Sequence, residues 1–285
     1  MDITSLLSQV NRLPPNPQVM LKLMKLLQDM DTGTYQIVNL IKVDTSLTAQ
    51  ILRIANSAFY GATEPTHDLE VAVNRIGFRE TYKLVGAICS NQLLVGLPPP
   101  VYPGSDQLWE QTTAIALLME DLSPRLGLET SSTYTIGLLH SLGKIVISQT
   151  GKYGEIFGIV EKESLLLADA ETRVLGFTHA DVAAALLKKW NTPPDILAPV
   201  RNQMNPMKEP DQMNAACALH AAICTVQGTT TIPGRLTRDA RTYYDAVTQL
   251  GIGNEELDAA YLNIQPRLEN IKKLLITGAP PRPKA

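Results

Sequence analysis

Apolar residues recur at helical spacing along most of the chain. Val19, Leu23, Leu26 and Leu27 lie at positions i, i+4, i+7 and i+8, which is one face of a helix. Pro17 precedes this stripe, as is typical of a first helical position. The same periodicity predicts three helices that are capped by Thr34, Asp68 and Thr178. It predicts further helices near 46–56, 80–95, 109–126, 133–148, 169–175, 194–204, 214–226, 237–250 and 255–276. The last of these is interrupted at Pro266. No strand alternation stands out, so the pattern predicts an all-α fold.

A proline-rich segment divides this helical pattern. Residues 96–105 contain four prolines and two glycines, which cannot continue a helix. We therefore expect an extended connector between two helical groups, at about 1–95 and 106–208, within one domain spanning 1–210. A helical extension follows at 211–277, and the proline-rich tail at 278–285 is expected to be disordered.

Composition narrows the function classes. The 285 residues are 45% hydrophobic and 19% charged, which is typical of a globular protein with a substantial core. A net charge of −3 gives no electrostatic reason to expect nucleic acid or an anionic membrane as a partner. The N-terminus lacks signal-peptide features, and no run of eighteen uncharged apolar residues occurs. We expect a cytoplasmic protein, with Cys89, Cys217 and Cys224 as buried free thiols.

The histidines carry the candidate chemistry. The chain has four, His67, His140, His179 and His220, and none lies within ten residues of another. A metal site would therefore depend on tertiary folding, because close spacing such as i, i+4 is absent. His140 is followed by Ser141, whose neutral hydroxyl is a poor ligand for a divalent cation.

Two separate blocks of sequence carry a recognisable pattern. The first has an aspartate, a leucine three residues on, and an L-x-x-A-N-S-x-x-x-G ending, at Asp44, Leu47, Leu52, Ala55, Asn56, Ser57 and Gly61. The second block comprises Trp109, 137–140 with Gly143, 176–182 and Trp190. Both blocks resemble the HDOD family, bacterial signalling domains related to HD phosphohydrolases, and the resemblance covers roughly residues 10–208. From the residues themselves, we expect Asn56, Ser57 and the two tryptophans to act structurally.

The resemblance also shows which metal ligands are missing. An active relative has a metal histidine where Gln111 stands, an aspartate at Ser141, and a histidine pair at 203–204, where Gln203 begins Gln-Met. His140 and His179 survive, with Asp181 as a candidate helper. Because a metal-activated water needs several ligands, we expect no bound metal or other cofactor and no catalysis.

The favoured interpretation is a non-catalytic signalling protein that binds a protein partner, through the connector 96–105 and the helices within 211–276. An alternative is a sensor for a nucleotide or other phosphorylated small molecule, with an anion pocket of His140, Lys144 and Gln111. A third class is an active phosphohydrolase with unusual metal ligands.

Overall fold

The computed structural model describes residues 2–9, 17–29, 31–62, 64–94, 104–229 and 240–276. The regular structure in these ranges is helical throughout, which confirms the all-α prediction. Its α-helices in chain order are α1 (Ile3–Gln9), α2 (Pro17–Gln28), α3 (Thr34–Lys42), α4 (Thr45–Ala55), α5 (Leu69–Ile76), α6 (Phe78–Leu94), α7 (Ser105–Leu122), α8 (Thr130–Leu139), α9 (Leu142–Ser148), α10 (Tyr153–Glu163), α11 (Leu167–Leu175), α12 (His179–Lys189), α13 (Pro194–Arg201), α14 (Met213–Thr229), α15 (Ala240–Leu250) and α16 (Asn254–Ile276). Short 3₁₀ turns lie at Ala58–Tyr60 and Pro206–Lys208.

Several helix boundaries differ from the periodicity. The predicted helix 133–148 is two helices, α8 and α9, which are separated at residues 140–141. Helix α16 continues through Pro266, because buried Ile264 and Leu268 extend its apolar face on both sides of the proline. Helix α10 was missed because it buries only Tyr153 and Ile156, too few residues for a clear stripe. Most of the predicted connector (95–103) and the predicted tail (277–285) lie outside the described residues.

The chain divides into two compact units that do not follow the order of the sequence. One unit comprises Met1–Pro14 and Ser90–Gln265, and the other comprises Pro15–Cys89 and Pro266–Ala285. The larger unit thus includes α1 and much of the predicted extension 211–277 in addition to the helices of 106–208.

In the smaller unit, α3, α4 and α5 pack together around an apolar core. Each contributes buried aliphatic side chains, and these include Ile41, Ile51 and Val73. Helix α4 begins where predicted, because the Asp44 carboxylate accepts a hydrogen bond from the Leu47 amide at 2.9 Å. Burial of the apolar faces accounts for this packing.

In the larger unit, α7 is buried over most of its length and packs closely on α8. The approach is allowed by Gly137, where a Cβ atom would lie 2.4 Å from the Ala116 Cα. Helix α12 packs on α9 and α13, and α14 packs on α7, α13 and α15. These contacts place the motif segment 137–144 in the interior of the unit.

A membrane-crossing helix was not expected from the sequence. Within the described ranges, no helix is both long enough and apolar enough to cross a membrane.

Candidate functional site

The motif segment contains a helix break. His140 is the residue that ends α8, and Ser141 is the residue that precedes α9. The His140 amide still donates to the Ile136 carbonyl at 3.1 Å, so the chain turns only after this residue. The next helix, α9, begins at Leu142 and carries Lys144.

His140 is buried and hydrogen-bonded to its own helix. Its Nδ1 lies 2.6 Å from the Gly137 carbonyl oxygen, which can only accept, so Nδ1 carries the proton. Burial lowers the pKa of His140 to about 3, and the charges of Lys144 and His179 act in the same direction. The ring is therefore neutral at pH 7, and its Nε2 presents a lone pair.

Ser141, which stands in the place of the family's aspartate, is satisfied by a neighbouring hydroxyl. Thr112 Oγ1 donates to Ser141 Oγ at 3.0 Å, and both side chains are buried. Gln111, the residue before Thr112 on α7, is also buried. This hydroxyl pair brings no negative charge to the position where a carboxylate would bind a metal.

Lys144 lies inside the unit and not on a solvated helix end. Its side chain is 4% exposed, and the Ser148 hydroxyl bonds to its backbone carbonyl. Burial lowers the pKa of Lys144, and the negative charge of Glu171 opposes that shift. Among the described residues, no acceptor lies within hydrogen-bond distance of Lys144 Nζ.

Glu171, which the sequence reasoning missed, is the fully buried partner of His179. Its Oε2 accepts hydrogen bonds from the His179 amide at 2.8 Å and from the His179 Nδ1 at 2.7 Å. Its Oε1 is buried and has no hydrogen-bond partner within the described part of the chain. One signal could have found it, since Glu171 lies four residues before the buried Leu175 on the apolar side of α11.

A close backbone approach holds His179 near the motif. A Cβ atom at Gly143 would lie 1.8 Å from the His179 carbonyl oxygen, so only glycine permits this contact between α9 and α12. Thr178 caps α12, and the Asp181 carboxylate returns to the Thr178 amide at 2.9 Å. Asp181 is exposed and completes this cap, so it is not brought to the site as a helper.

We call His140, Lys144, Glu171 and His179 the buried polar cluster. The charges of Lys144 and His179 act on His140, and the charge of Glu171 acts on Lys144. Glu171 and His179 are in direct contact, whereas Lys144 and Glu171 are attracted without a direct ion pair. The tertiary structure therefore joins α8, α9, α11 and α12 through four ionisable side chains.

Gln203 links the backbone of His140 to helix α14. Its Nε2 donates to the carbonyl oxygens of His140 at 3.2 Å and Val200 at 2.9 Å. Its own carbonyl accepts from His220 Nδ1 at 2.7 Å, and the Cys224 thiol lies 3.7 Å from His220 Nε2. His220 on α14, which is isolated in the sequence, thus supports the backbone next to Gln203.

The remaining motif residues lie elsewhere or act in packing. In the smaller unit, the Asn56 side chain bonds to both backbone groups of Thr66 at 2.8 Å, and the Ser57 hydroxyl bonds to the Ile54 carbonyl. Leu52 is half-buried on α4, and Gly61 follows the 3₁₀ turn with φ of 64°. In the larger unit, Trp109 is buried on α7 and Trp190 is half-buried at the end of α12.

The side chains at this site do not fit a divalent metal. Among the described residues, no group of three or more His, Cys, Asp and Glu side chains is placed to hold a metal ion. Ser141 is engaged by Thr112, and Gln203 turns its amide nitrogen, a donor, toward the His140 carbonyl. A metal requires deprotonated ligands or oxygen acceptors at these places.

One curated protein matches this chain over most of its length. An uncharacterized protein of Treponema pallidum (strain Nichols) is 25% identical over 214 residues, which are 73% of this chain. The matched region spans 40% of that relative's length.

Solved structures match over nearly the whole chain. An HDOD domain protein of unknown function from Geobacter sulfurreducens is 21% identical, with a TM-score of 0.72 and 95% of each chain covered. A candidate phosphohydrolase from Shewanella amazonensis SB2B is 22% identical, with a TM-score of 0.70, covering 95% of this chain and 98% of that one. A candidate signal transduction protein from Marinobacter aquaeolei VT8 is 22% identical, with a TM-score of 0.73, covering 92% of this chain and 58% of that one. At these identities the likeness shows a shared fold.

The family assignment rests on the sequence match together with this fold. The family model described as the HDOD domain matches residues 13–206, which include the motif segment, the buried polar cluster and Gln203. The chain therefore belongs to the HDOD domain family.

Proposed function

We propose that this protein transmits a signal by binding another protein and does not hydrolyse phosphate esters. The observation that carries the proposal is the engagement of the former ligand positions within the protein. Ser141 is bonded to Thr112, and the Gln203 amide nitrogen is bonded to the His140 and Val200 carbonyls.

The missing charge argues in the same direction. Hydrolysis by a metal-activated water needs a metal ion that is held by several ligands next to the scissile bond. The metal ion activates the water and stabilises the negative charge that develops on the phosphate. Of the site residues, only His140 and His179 stand where the family pattern has metal ligands. Two imidazoles and a hydroxyl bring no negative charge to compensate the desolvation of a divalent cation.

The family and its solved relatives support a signalling function. The HDOD domain match and the candidate signal transduction protein of similar fold favour it, whereas the candidate phosphohydrolase favours the enzymatic alternative. The absence of a negatively charged side chain at Ser141 supports the signalling function over the enzymatic one.

Helices beyond the family match are the proposed contact surface for the partner. Tyr244 on α15 and Leu262 on α16 are each 67% exposed, which is unusual for large apolar side chains. Both lie after residue 206, where the family model ends. We expect Tyr244→Ser and Leu262→Ser to weaken partner capture without lowering the thermal midpoint.

A hydrolysis assay tests the proposal. Purified protein should show no manganese-, iron- or zinc-stimulated release of nitrophenol from bis(p-nitrophenyl) phosphate. Ser141→Asp restores one carboxylate and should remain inactive, because the other ligand positions are unchanged. Turnover that rises with added metal and disappears in His140→Ala would overturn the proposal.

A second candidate function is a sensor for a phosphorylated small molecule. The observation that favours it is the buried Lys144, whose Nζ has no hydrogen-bond partner within the described ranges. A thermal-shift series with inorganic phosphate and nucleotides tests it, since a ligand that binds only the folded state raises stability. A stabilisation that Lys144→Ala abolishes would support the sensor.

A further inference from the structure

The segment between α13 and α14 is attached to α14 at two places. The Gln203 backbone carbonyl accepts a hydrogen bond from His220 Nδ1 at 2.7 Å. Four residues later, Met207 Sδ accepts a hydrogen bond from the Cys217 thiol at 3.8 Å. Cys217 and His220 lie three residues apart on α14, so both contacts use the same face of that helix. Segment 202–209 is therefore held against α14 near its start and at its 3₁₀ turn.

Further contacts keep this segment in place. Asn202 Nδ2 donates to Glu209 Oε2 at 2.7 Å, which joins the two ends of the segment. Pro206 is buried, and its 3₁₀ turn packs on α14 and α15. Gln203 Nε2 donates to the His140 carbonyl at 3.2 Å. The side chain of Gln203 thus connects the segment with the backbone of the motif.

Met207 is the exposed member of this arrangement. It is 40% exposed, and the other methionines that the structure describes are half-buried or buried. A thioether is oxidised to a sulfoxide without first losing a proton, so its exposure governs how readily it reacts. Cys217 differs, because it is fully buried and burial raises the pKa of its thiol to about 11. The thiol stays protonated at neutral pH, so it donates its hydrogen bond and does not react as a thiolate.

We propose that Met207 is a modification site for hydroperoxides, and that its sulfoxide releases segment 202–209 from α14. The oxygen–oxygen bond of hydrogen peroxide breaks as a sulfur–oxygen bond forms. The sulfur loses two electrons to the peroxide, whose leaving oxygen takes the proton and departs as water. The two sulfur atoms are already in contact at 3.8 Å, which leaves no space for an added oxygen between them. The polar sulfoxide is hydrated more strongly than the thioether, so it turns toward water and weakens the contact with α14.

Treatment of the purified protein with hydrogen peroxide tests the proposal. We expect peptide mass spectrometry to find that Met207 sulfoxide forms several-fold faster than Met213 sulfoxide, since Met213 is half-buried at the start of α14. The thermal midpoint should fall by about 2–4 °C. Amide hydrogen exchange in segment 202–209 should become faster. Methionine sulfoxide reductases, one for each sulfoxide epimer, should reverse both changes.

Met207→Leu separates this site from oxidation elsewhere in the chain. Leucine has a similar volume and no sulfur, so the variant should keep its midpoint under the same treatment. Met213→Leu is the matched control, and its midpoint should fall as that of the wild type does. An equal fall in Met207→Leu and wild type would overturn the proposal. Complete formation of Met207 sulfoxide with unchanged hydrogen exchange in segment 202–209 would overturn it as well.

Cys217→Ala tests the partner of Met207. The variant has already lost the contact between the thiol and the thioether, so peroxide should lower its midpoint less than that of the wild type. Cys224→Ala is the control, because the Cys224 thiol lies against His220 Nε2 at 3.7 Å, and peroxide should lower its midpoint by the full amount. A full fall in Cys217→Ala would show that this contact does not carry the effect, and the proposal would fail.

Discussion

Gly143→Ala should be one of the most damaging single-methyl additions in the larger unit. The new Cβ would lie 1.8 Å from the His179 carbonyl oxygen, whereas ordinary contacts begin near 3.4 Å. Both sides of the contact are backbone, so no rotamer change relieves it and α9 must move from α12 by about 1.6 Å. Overpacking typically costs about 1–3 kcal/mol, and more where backbones must separate.

The helical preference of alanine offsets only part of this cost. Replacing glycine by alanine inside a helix contributes about 1 kcal/mol. We therefore expect Gly143→Ala to lose about 3 kcal/mol or more of unfolding free energy, which is a fall of about 6–12 °C in thermal midpoint. Urea unfolding followed by far-UV circular dichroism measures it directly.

Gly158→Ala is the matched control. Gly158 is also inside a helix, α10, but a Cβ there meets nothing within 4 Å. That variant should gain up to about 1 kcal/mol. If Gly143→Ala matched this gain, the close contact between α9 and α12 would not exist in solution, and the argument that it positions His179 would fail.

Two further predictions concern the motif residues. Burial lowers the pKa of His140 from its ordinary value of 6.5 to about 3. Between these two values the unfolded chain binds a proton that the folded chain does not, so stability is lost as the pH falls below 6.5. His140→Gln should remove this contribution, so the unfolding free energy of the wild type should fall by about 2 kcal/mol more than that of the variant between pH 7.5 and pH 5. His67→Gln, which changes an exposed histidine, is the control and should follow the wild type. Urea midpoints that change in parallel with pH in all three proteins would contradict the prediction. Thr112→Val and Ser141→Ala should each cost about 1–2 kcal/mol by breaking the 3.0 Å hydroxyl bond, and the double variant should cost less than their sum. Additive losses in the cycle would show that the two hydroxyls do not interact.

Local signals predicted most of the helices. Asp68 and Thr178 each cap the helix that the sequence assigned to them, because a cap depends on residues only two or three positions away. The cap predicted at Thr34 was wrong, since Thr34 is the first residue of α3 and Gly33 precedes the helix. The single helix predicted for 133–148 was wrong at its centre, since apolar periodicity continues through the break at residues 140–141. Periodicity detects a buried face and does not detect a two-residue break between helices whose flanking residues are all buried.

The candidate site was predicted in part. His140, Lys144 and His179 were singled out from the motif, and the structure places all three in the buried polar cluster. Glu171 was missed because a single glutamate on a short amphipathic helix is usually solvated, and only its position four residues before Leu175 indicates the buried face. The bond from His220 to Gln203 was also out of reach, since it joins a residue of α14 to a turn seventeen positions earlier.

The sequence by itself determined the fold class, the capped starts of α5 and α12, and the replacement of family ligand residues by Gln111, Ser141 and Gln203, because these depend on residue identity and short-range spacing. Only the tertiary structure decided that Lys144 is buried beside Glu171 and that His140 is held neutral. Burial and charge depend on which helices meet, and Gly143 permits that meeting through a backbone contact with His179, thirty-six residues away.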